Sequence, residues 1–135
     1  MATKIIDIEG IGPAYEAKLK AAGVETVEQL LEKGKTPKGR QELETATGID
    51  GKRILDWVGM ADLFRIKGVA AQFAELLKAA GVDTVKELRT RNAENLFAKM
   101  EEVNKEKSLT RSVPRLDQVK DFIEQAKALE PVITY

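Results

Sequence analysis

Residues 8–30 read IEGIGPAYEAKLKAAGVETVEQL, and residues 66–88 read IKGVAAQFAELLKAAGVDTVKEL. At a constant offset of 58 positions the two stretches share 11 identities in 23, with no gap. Ile11/Val69, Tyr15/Phe73 and Glu25/Asp83 add near-matches. Self-similarity of this length means that one supersecondary unit occurs twice. The expected organisation is therefore a first unit over 1–62, a second over 63–130 and a short, frayed tail over 131–135. The two units are expected to pack as one pseudo-two-fold body, since each is small to stand alone.

Each copy carries the signals of two helices and a tight connection. Pro13 suits a first helical turn, where its missing N–H costs nothing. Tyr15, Leu19 and Ala22 fall at helical spacing and mark a buried stripe. Gly23 is placed to end that helix in a left-handed conformation, with Val24 packing back. Thr26 and Gln29 form a capping-box pattern that opens the next helix. Gly81, Val82, Thr84 and Glu87 repeat the device in the second copy.

Beyond the repeat, Thr36-Pro37 opens a helix to about Thr47, stopped by Gly48. The turn GIDG at 48–51 feeds KRILDWVGMADLF, with Ile54, Leu55, Trp57 and Val58 inward. In the second half Asn92 can cap AENLFAKMEEV, and Pro114 precedes RLDQVKDFIEQAKAL. ILDWV and VKDFI correspond at an offset of 65, so the second half carries about seven extra residues. That surplus lies in 104–113, NKEKSLTRSV, expected as a loop. No stretch alternates well enough for a strand. The fold is expected to be all-α, with about nine to ten short helices. Tyr15, Phe73, Trp57, Phe122, Phe64 and Phe97 fall on apolar stripes and are assigned to the core, with Met60 and Met100 as filler.

The chain has neither Cys nor His. Disulfides, thiolate nucleophiles, Cys/His zinc sites and His acid/base chemistry are excluded with them. Neither a calcium loop nor a phosphate loop of the G-x-x-x-x-G-K-[ST] kind occurs. No enzyme, metal or cofactor is therefore expected, and no small-molecule substrate is evident. No apolar run reaches the ~20 residues of a membrane span, and cytoplasmic residence is the expectation. Charge is balanced at 22 basic against 22 acidic side chains, which argues against avid nonspecific nucleic-acid binding. Residues 1–62 hold nine basic and eleven acidic side chains and 63–135 hold thirteen and eleven, so neither half is a basic module.

IEGIGPAYEAKLKAAGVETVEQLLE resembles the helix-hairpin-helix pattern, carried by Ile8, Gly10, Ile11, Gly12 and Ala17. GIDGKRIL resembles a second, diverged hairpin, and RIKGVAAQFAELLKAAGVDTVKEL repeats the first. SVPRLDQVKDFIEQAKAL resembles the C-terminal part of an uncharacterised bacterial family with duplicated hairpin units. Those relatives are similar to the helical C-terminal domain of the RNA polymerase alpha subunit. The resemblance implies tandem helix-hairpin-helix units whose turns present backbone N–H groups to a phosphate. It assigns Gly10, Ile11 and Gly12 to one grip and Gly48, Ile49, Gly51, Lys52 and Arg53 to the other. The glycines permit the sharp turn and close approach, and helix dipoles favour the anion.

The residues also contain opposing signals. Glu9 places a negative charge in the first turn, Pro13 removes a donor, and Ala70 stands where the first copy has Gly12. In favour are Lys52 and Arg53 at a helix start, Lys67 in place of Glu9, and KGKTPKGR with Lys33, Lys35, Lys38 and Arg40. Lys35, Lys38, Arg40 and Lys67 are the supporting basic candidates. Lys105, Lys107, Arg111 and Arg115 form a second basic stretch that reads first as a solvated insertion. Two partner classes stay open. One is weak, sequence-independent contact with a nucleic-acid backbone, with duplex DNA as the form two hairpins would grip. The other is a protein partner, for a scaffold that kept the fold and lost the grip.

Overall fold

Proline or a threonine or asparagine cap starts five of the eight α-helices described below, and residues with positive φ end several of them. The computed structural model describes residues 3–135. Among these lie a 3-10 turn, Ile5–Asp7, and eight α-helices: α1 Pro13–Ala21, α2 Val27–Gly34, α3 Pro37–Thr47, α4 Gly51–Leu63, α5 Ala71–Ala79, α6 Val85–Leu88, α7 Ala93–Lys107 and α8 Leu116–Ala128. No strand occurs among the described residues; Lys4 and Thr26 form a single isolated antiparallel bridge. The fold is all-α.

The caps act where the sequence predicts. Thr26 Oγ1 accepts from the Gln29 N–H at 3.1 Å while Gln29 Oε1 accepts from the Glu25 and Thr26 N–H groups at 2.8 and 3.3 Å. Thr36 and Asn92 accept from the N–H groups of Gly39 and Asn95, each at 3.0 Å. Gly48, at φ 73°, closes α3 by donating to the Glu44 carbonyl at 2.8 Å. α6 is shorter than α2 because Thr90 Oγ1 donates back to the Glu87 carbonyl at 2.7 Å, competing with the helical ladder.

The same backbone hydrogen bonds recur 58 residues apart. Val24 N–H donates to Leu19 and Val82 N–H to Leu77, both at 2.8 Å; Gly23 donates to Lys20 and Gly81 to Lys78, both at 3.0 Å. Each helix end then receives a cation from further along the chain. Lys33 Nζ donates to the Ala22 carbonyl at 3.2 Å, and Arg91 Nη2 to the Gly81 carbonyl at 2.9 Å. These placements suit the negative end of a helix dipole.

The chain divides into two compact units. Unit 1 takes the chain through Asp62 together with Val132–Tyr135, and unit 2 takes Leu63–Pro131. In unit 1, α1 packs on α3 and on the 3-10 turn, and α2 packs on α3. Its core centres on Ile5, Ile8, Leu19, Leu30 and Ile54, all fully buried. In unit 2, α5 packs on α7, and α8 on α6 and α7, around Ile66, Leu76, Leu77, Leu88, Leu96 and Met100. Truncating any one of these to Ala removes about 2–5 kcal/mol.

Three expectations need correction. Of the six aromatics assigned to the core only Trp57 and Phe122 are buried, while Tyr15, Phe64, Phe73 and Phe97 lie half-buried at its edge. Residues 104–107 are helical rather than loop, because Asn104 clamps the chain just beyond. Its Nδ2 donates to the Thr110 carbonyl and its Oδ1 accepts from the Thr110 N–H, both at 3.0 Å, while Ser108 at φ 51° ends α7. Nor does the tail fray. Ile133 is buried, Thr134 N–H donates to the Lys35 carbonyl at 2.8 Å, and Arg40 Nη2 donates to the Thr134 carbonyl at 2.6 Å.

Candidate nucleic-acid interface

The first turn is built by buried isoleucines and one positive φ. Ile8 N–H donates to Ile5 and Ile11 N–H to Ile8, at 3.0 and 3.1 Å, and both side chains are buried. Gly10 bends the chain at φ 95°, with Trp57 Nε1 3.2 Å from where a β-carbon would stand. Ile11 is thus a core plug. Gly12 differs in kind. It is extended at φ −90°, ψ −177°, and a β-carbon there would meet nothing within 4 Å.

Gly12 is also the N-cap of α1, and its helix carries no side-chain cap. Pro13 brings no donor. The N–H groups of Gly12, Ala14 and Tyr15 have no hydrogen-bond partner among the described residues. They lie at the N-terminus of α1, the positive end of its dipole, an arrangement suited to an anion.

A cation reaches this turn from another helix. Tyr15 packs edge-on against Trp57 of α4, with centroids 5.1 Å apart at 65°. The Arg53 guanidinium lies 5.3 Å from the Tyr15 ring centroid, and Lys18 Nζ lies 6.0 Å from it. The structure therefore joins Gly10, Tyr15, Arg53 and Trp57, residues that sequence reasoning divided between a first grip, a second grip and the core. The sequence carried a faint signal for this: Lys18 follows Tyr15 by one helical turn, and Arg53 precedes Trp57 by one.

The second turn is anchored in the same manner. Ile49 is buried, and its N–H donates to Thr47 Oγ1 at 3.1 Å. Asp50 O accepts from the Arg53 and Ile54 N–H groups at 3.0 and 3.1 Å, starting α4. Lys52 and Arg53 are exposed. At Gly51, however, a β-carbon would stand 2.7 Å from Glu44 Oε2. A carboxylate of the protein's own already lies against the start of α4, where it complements the dipole. Sequence reasoning did not include Glu44.

The supporting cations are mostly engaged. Arg40 is buried, donating through Nη1 to the Gly34 carbonyl at 2.8 Å and through Nη2 to Thr134, with the Tyr135 ring centroid 5.8 Å from its guanidinium. Lys35 pairs with Glu32 at 3.0 Å, and Lys33 caps α1. Lys38 alone of that stretch has neither an ion-pair nor a hydrogen-bond partner for its side chain among the described residues. Lys67 keeps an exposed side chain, while Gln125 accepts from its N–H at 2.8 Å and donates to its carbonyl at 3.1 Å. Arg115 pairs with Asp117 at 3.2 Å, and its hydrogen bond holds the exposed Asp117 carboxyl below the usual carboxylate range.

Unit 2 has the same turn with different surroundings. Ile66 N–H donates to Leu63 and Val69 N–H to Ile66, each at 3.1 Å, and Gly68 sits at φ 96° with Phe122 Cε1 3.0 Å from a β-carbon position. Phe73 tilts against Phe122 at 6.3 Å. Ala70 adopts the extended backbone of Gly12, at φ −116°, ψ −168°. A cavity of about 260 Å³ opens beside this turn, lined by Gly68, Ala70, Ala71, Gln72 and Phe73.

Among the described residues no acidic cluster could hold a metal ion, and no helix is long and apolar enough to cross a membrane. Neither the curated proteins nor the solved structures yield a significant match to the chain. A family model does match, over residues 9–129, and covers both turns and all eight α-helices. The chain belongs to the family described as Domain of unknown function (DUF4332).

Proposed function

We propose that this chain is a non-enzymatic binding module of two diverged helix-hairpin-helix units, each similar to the helical C-terminal domain of the RNA polymerase alpha subunit. In this reading it holds a nucleic-acid backbone weakly and without sequence preference. The single observation that carries the reading is Gly12. Its backbone requires no glycine, and its side-chain direction is empty, yet it stands beside three donors that the chain leaves unpaired. A glycine that the fold does not need is consistent with close approach by something else. The repeated hydrogen bonds at an offset of 58 support the reading of the units as copies.

The charge distribution supports weak rather than avid contact. Lys52 and Arg53 are exposed at the start of α4, whereas Arg40, Lys33 and Lys35 have structural duties. With so few phosphates neutralised, affinity should be modest and should fall steeply as salt rises. A second reading, a protein-interaction scaffold, is favoured by Glu44. Its carboxylate lies against the start of α4, where the second grip would hold a phosphate.

The test is a titration of labelled duplex and single-stranded DNA and RNA at about 50 and 200 mM salt, with wild type and a Lys52→Glu/Arg53→Glu variant. Binding that falls with salt and with the mutation supports the backbone grip. No binding at the lower salt overturns it and leaves the scaffold reading.

A further inference from the structure

Unit 1 and unit 2 share an aromatic frame but differ in the charges set upon it. In each, a glycine at φ near +95° meets the aromatic of the last helix in the frame, and that ring meets the aromatic of the first. The members are Gly10, Trp57 and Tyr15 in one unit, and Gly68, Phe122 and Phe73 in the other. Among the described residues only the first frame carries cations. Lys18 and Arg53 lie 6.0 and 5.3 Å from the Tyr15 centroid. At the repeat offsets of 58 and 65, unit 2 has Leu76, which is buried, and Gln118, whose Oε1 accepts from the Arg115 N–H at 2.8 Å. The frame therefore forms without cations, and packing does not explain their presence in unit 1.

We propose that Lys18 and Arg53, held on the Tyr15 ring, form a two-cation clamp for the phosphodiester backbone of duplex DNA. The proposal rests on the nucleic-acid reading above and adds to it two binding residues, Lys18 and Tyr15. It also moves Arg53 from the second turn to the first. Tyr15 acts as a positioning residue: cation–π contact restrains two long side chains that would otherwise sample many rotamers, so less entropy is lost on binding. A duplex is the fitting partner because the Tyr15 ring already packs against an indole and two cations, which leaves it poorly placed to stack a splayed base. Asp50, just before α4, and Asp56, on it, stand three residues to either side of Arg53 and limit the strength of the clamp.

The experiment follows fluorescence anisotropy of a labelled DNA duplex, and of one of its single strands, from about 50 to 200 mM salt. It compares wild type, Lys18→Gln/Arg53→Gln, Tyr15→Leu, Tyr15→Phe and Lys120→Gln, a control at an exposed lysine of unit 2. The double variant should lower the logarithmic salt slope by about 1.8, so that a fourfold rise in salt costs it about twelvefold less affinity than wild type. Tyr15→Leu should move binding toward the double variant, and Tyr15→Phe and Lys120→Gln should bind as wild type. Circular dichroism on every variant establishes that each is folded, and the two charge changes are at exposed positions. Wild-type binding with an unchanged slope in the double variant overturns the clamp and leaves the backbone reading standing. Loss of binding in Tyr15→Phe, or tighter binding of the single strand, overturns the ring's role or the choice of partner. No binding by wild type overturns the clamp and the backbone reading together.

Discussion

Gly10 and Trp57 are fitted to one another: at φ 95° the glycine leaves room for the indole, whose Nε1 would stand 3.2 Å from any β-carbon added there. Two residues further on, Gly12 has an ordinary extended backbone and open space. Gly10→Ala should therefore cost about 1–3 kcal/mol through backbone strain alone, with tight contact against the indole added. Gly12→Ala should stay within about 0.5 kcal/mol of wild type and should weaken duplex binding. Urea denaturation of both variants, with a duplex titration of Gly12→Ala, checks this. Equal destabilisation would make Gly12 a folding glycine and remove the main support for the backbone grip.

The capping threonines offer a second comparison. Thr26 belongs to a reciprocal box with Gln29, whereas Thr84 is buried and its hydroxyl accepts from the Glu87 N–H at 3.1 Å. Replacing either by Ala should cost about 1 kcal/mol. Thr84→Ala should cost more, because the Glu87 N–H loses a partner in a drier setting. Gln29→Ala should add a smaller loss in unit 1, from the Glu25 and Thr26 N–H groups. Thermal unfolding of the three variants ranks them, and a larger loss for Thr26→Ala than for Thr84→Ala would contradict the burial argument.

Local signals were legible in the sequence, and long-range assignments were not. Thr26, Thr36, Thr84 and Asn92 announced helix starts, and Gly48 a helix end, because each acts on donors or acceptors within a few residues. Ile11 and Ile49 read as parts of the grips, yet both side chains are buried and serve the core. Arg40 read as a surface cation because its partners, Gly34 and Thr134, are 6 and 94 residues away. The contact of Arg53 with the Tyr15 ring was hidden likewise, as both residues fitted a local story on separate helices. Residues 104–107 read as loop from their polarity, yet an exposed helical turn needs no apolar face once Asn104 clamps Thr110.

Acid titration should single out Asp117. The Arg115 side chain hydrogen-bonds its carboxyl, which holds the pKa below the ordinary 3.8. A depressed carboxylate favours the fold above its unfolded pKa, and that contribution is lost as pH falls through the folded value. Full exposure keeps the effect on stability small. Carbon-detected NMR should give Asp117 a midpoint below 3.8 that rises in Arg115→Ala. An unchanged midpoint would mean that the ion pair does not persist in solution.

Arg40 should be the most costly cation to remove, because its charge is spent inside unit 1. Its guanidinium donates to Gly34 and Thr134 at 2.8 and 2.6 Å, and the same stretch of tail bonds Lys35 and buries Ile133. Arg40→Ala leaves the Gly34 carbonyl without that donor and unfastens Thr134, so a loss of about 2–3 kcal/mol is expected, in line with hydrogen bonds to charged groups. Lys38→Ala, on an exposed neighbour, should stay within about 0.5 kcal/mol. Hydrogen exchange separates the two effects: the Thr134 amide should lose protection in Arg40→Ala well before global unfolding, since a short segment released from its partners opens locally. If Thr134 stays as protected as in wild type, Ile133 and the Lys35 carbonyl hold the tail without Arg40, and the arginine's contribution is confined to Gly34.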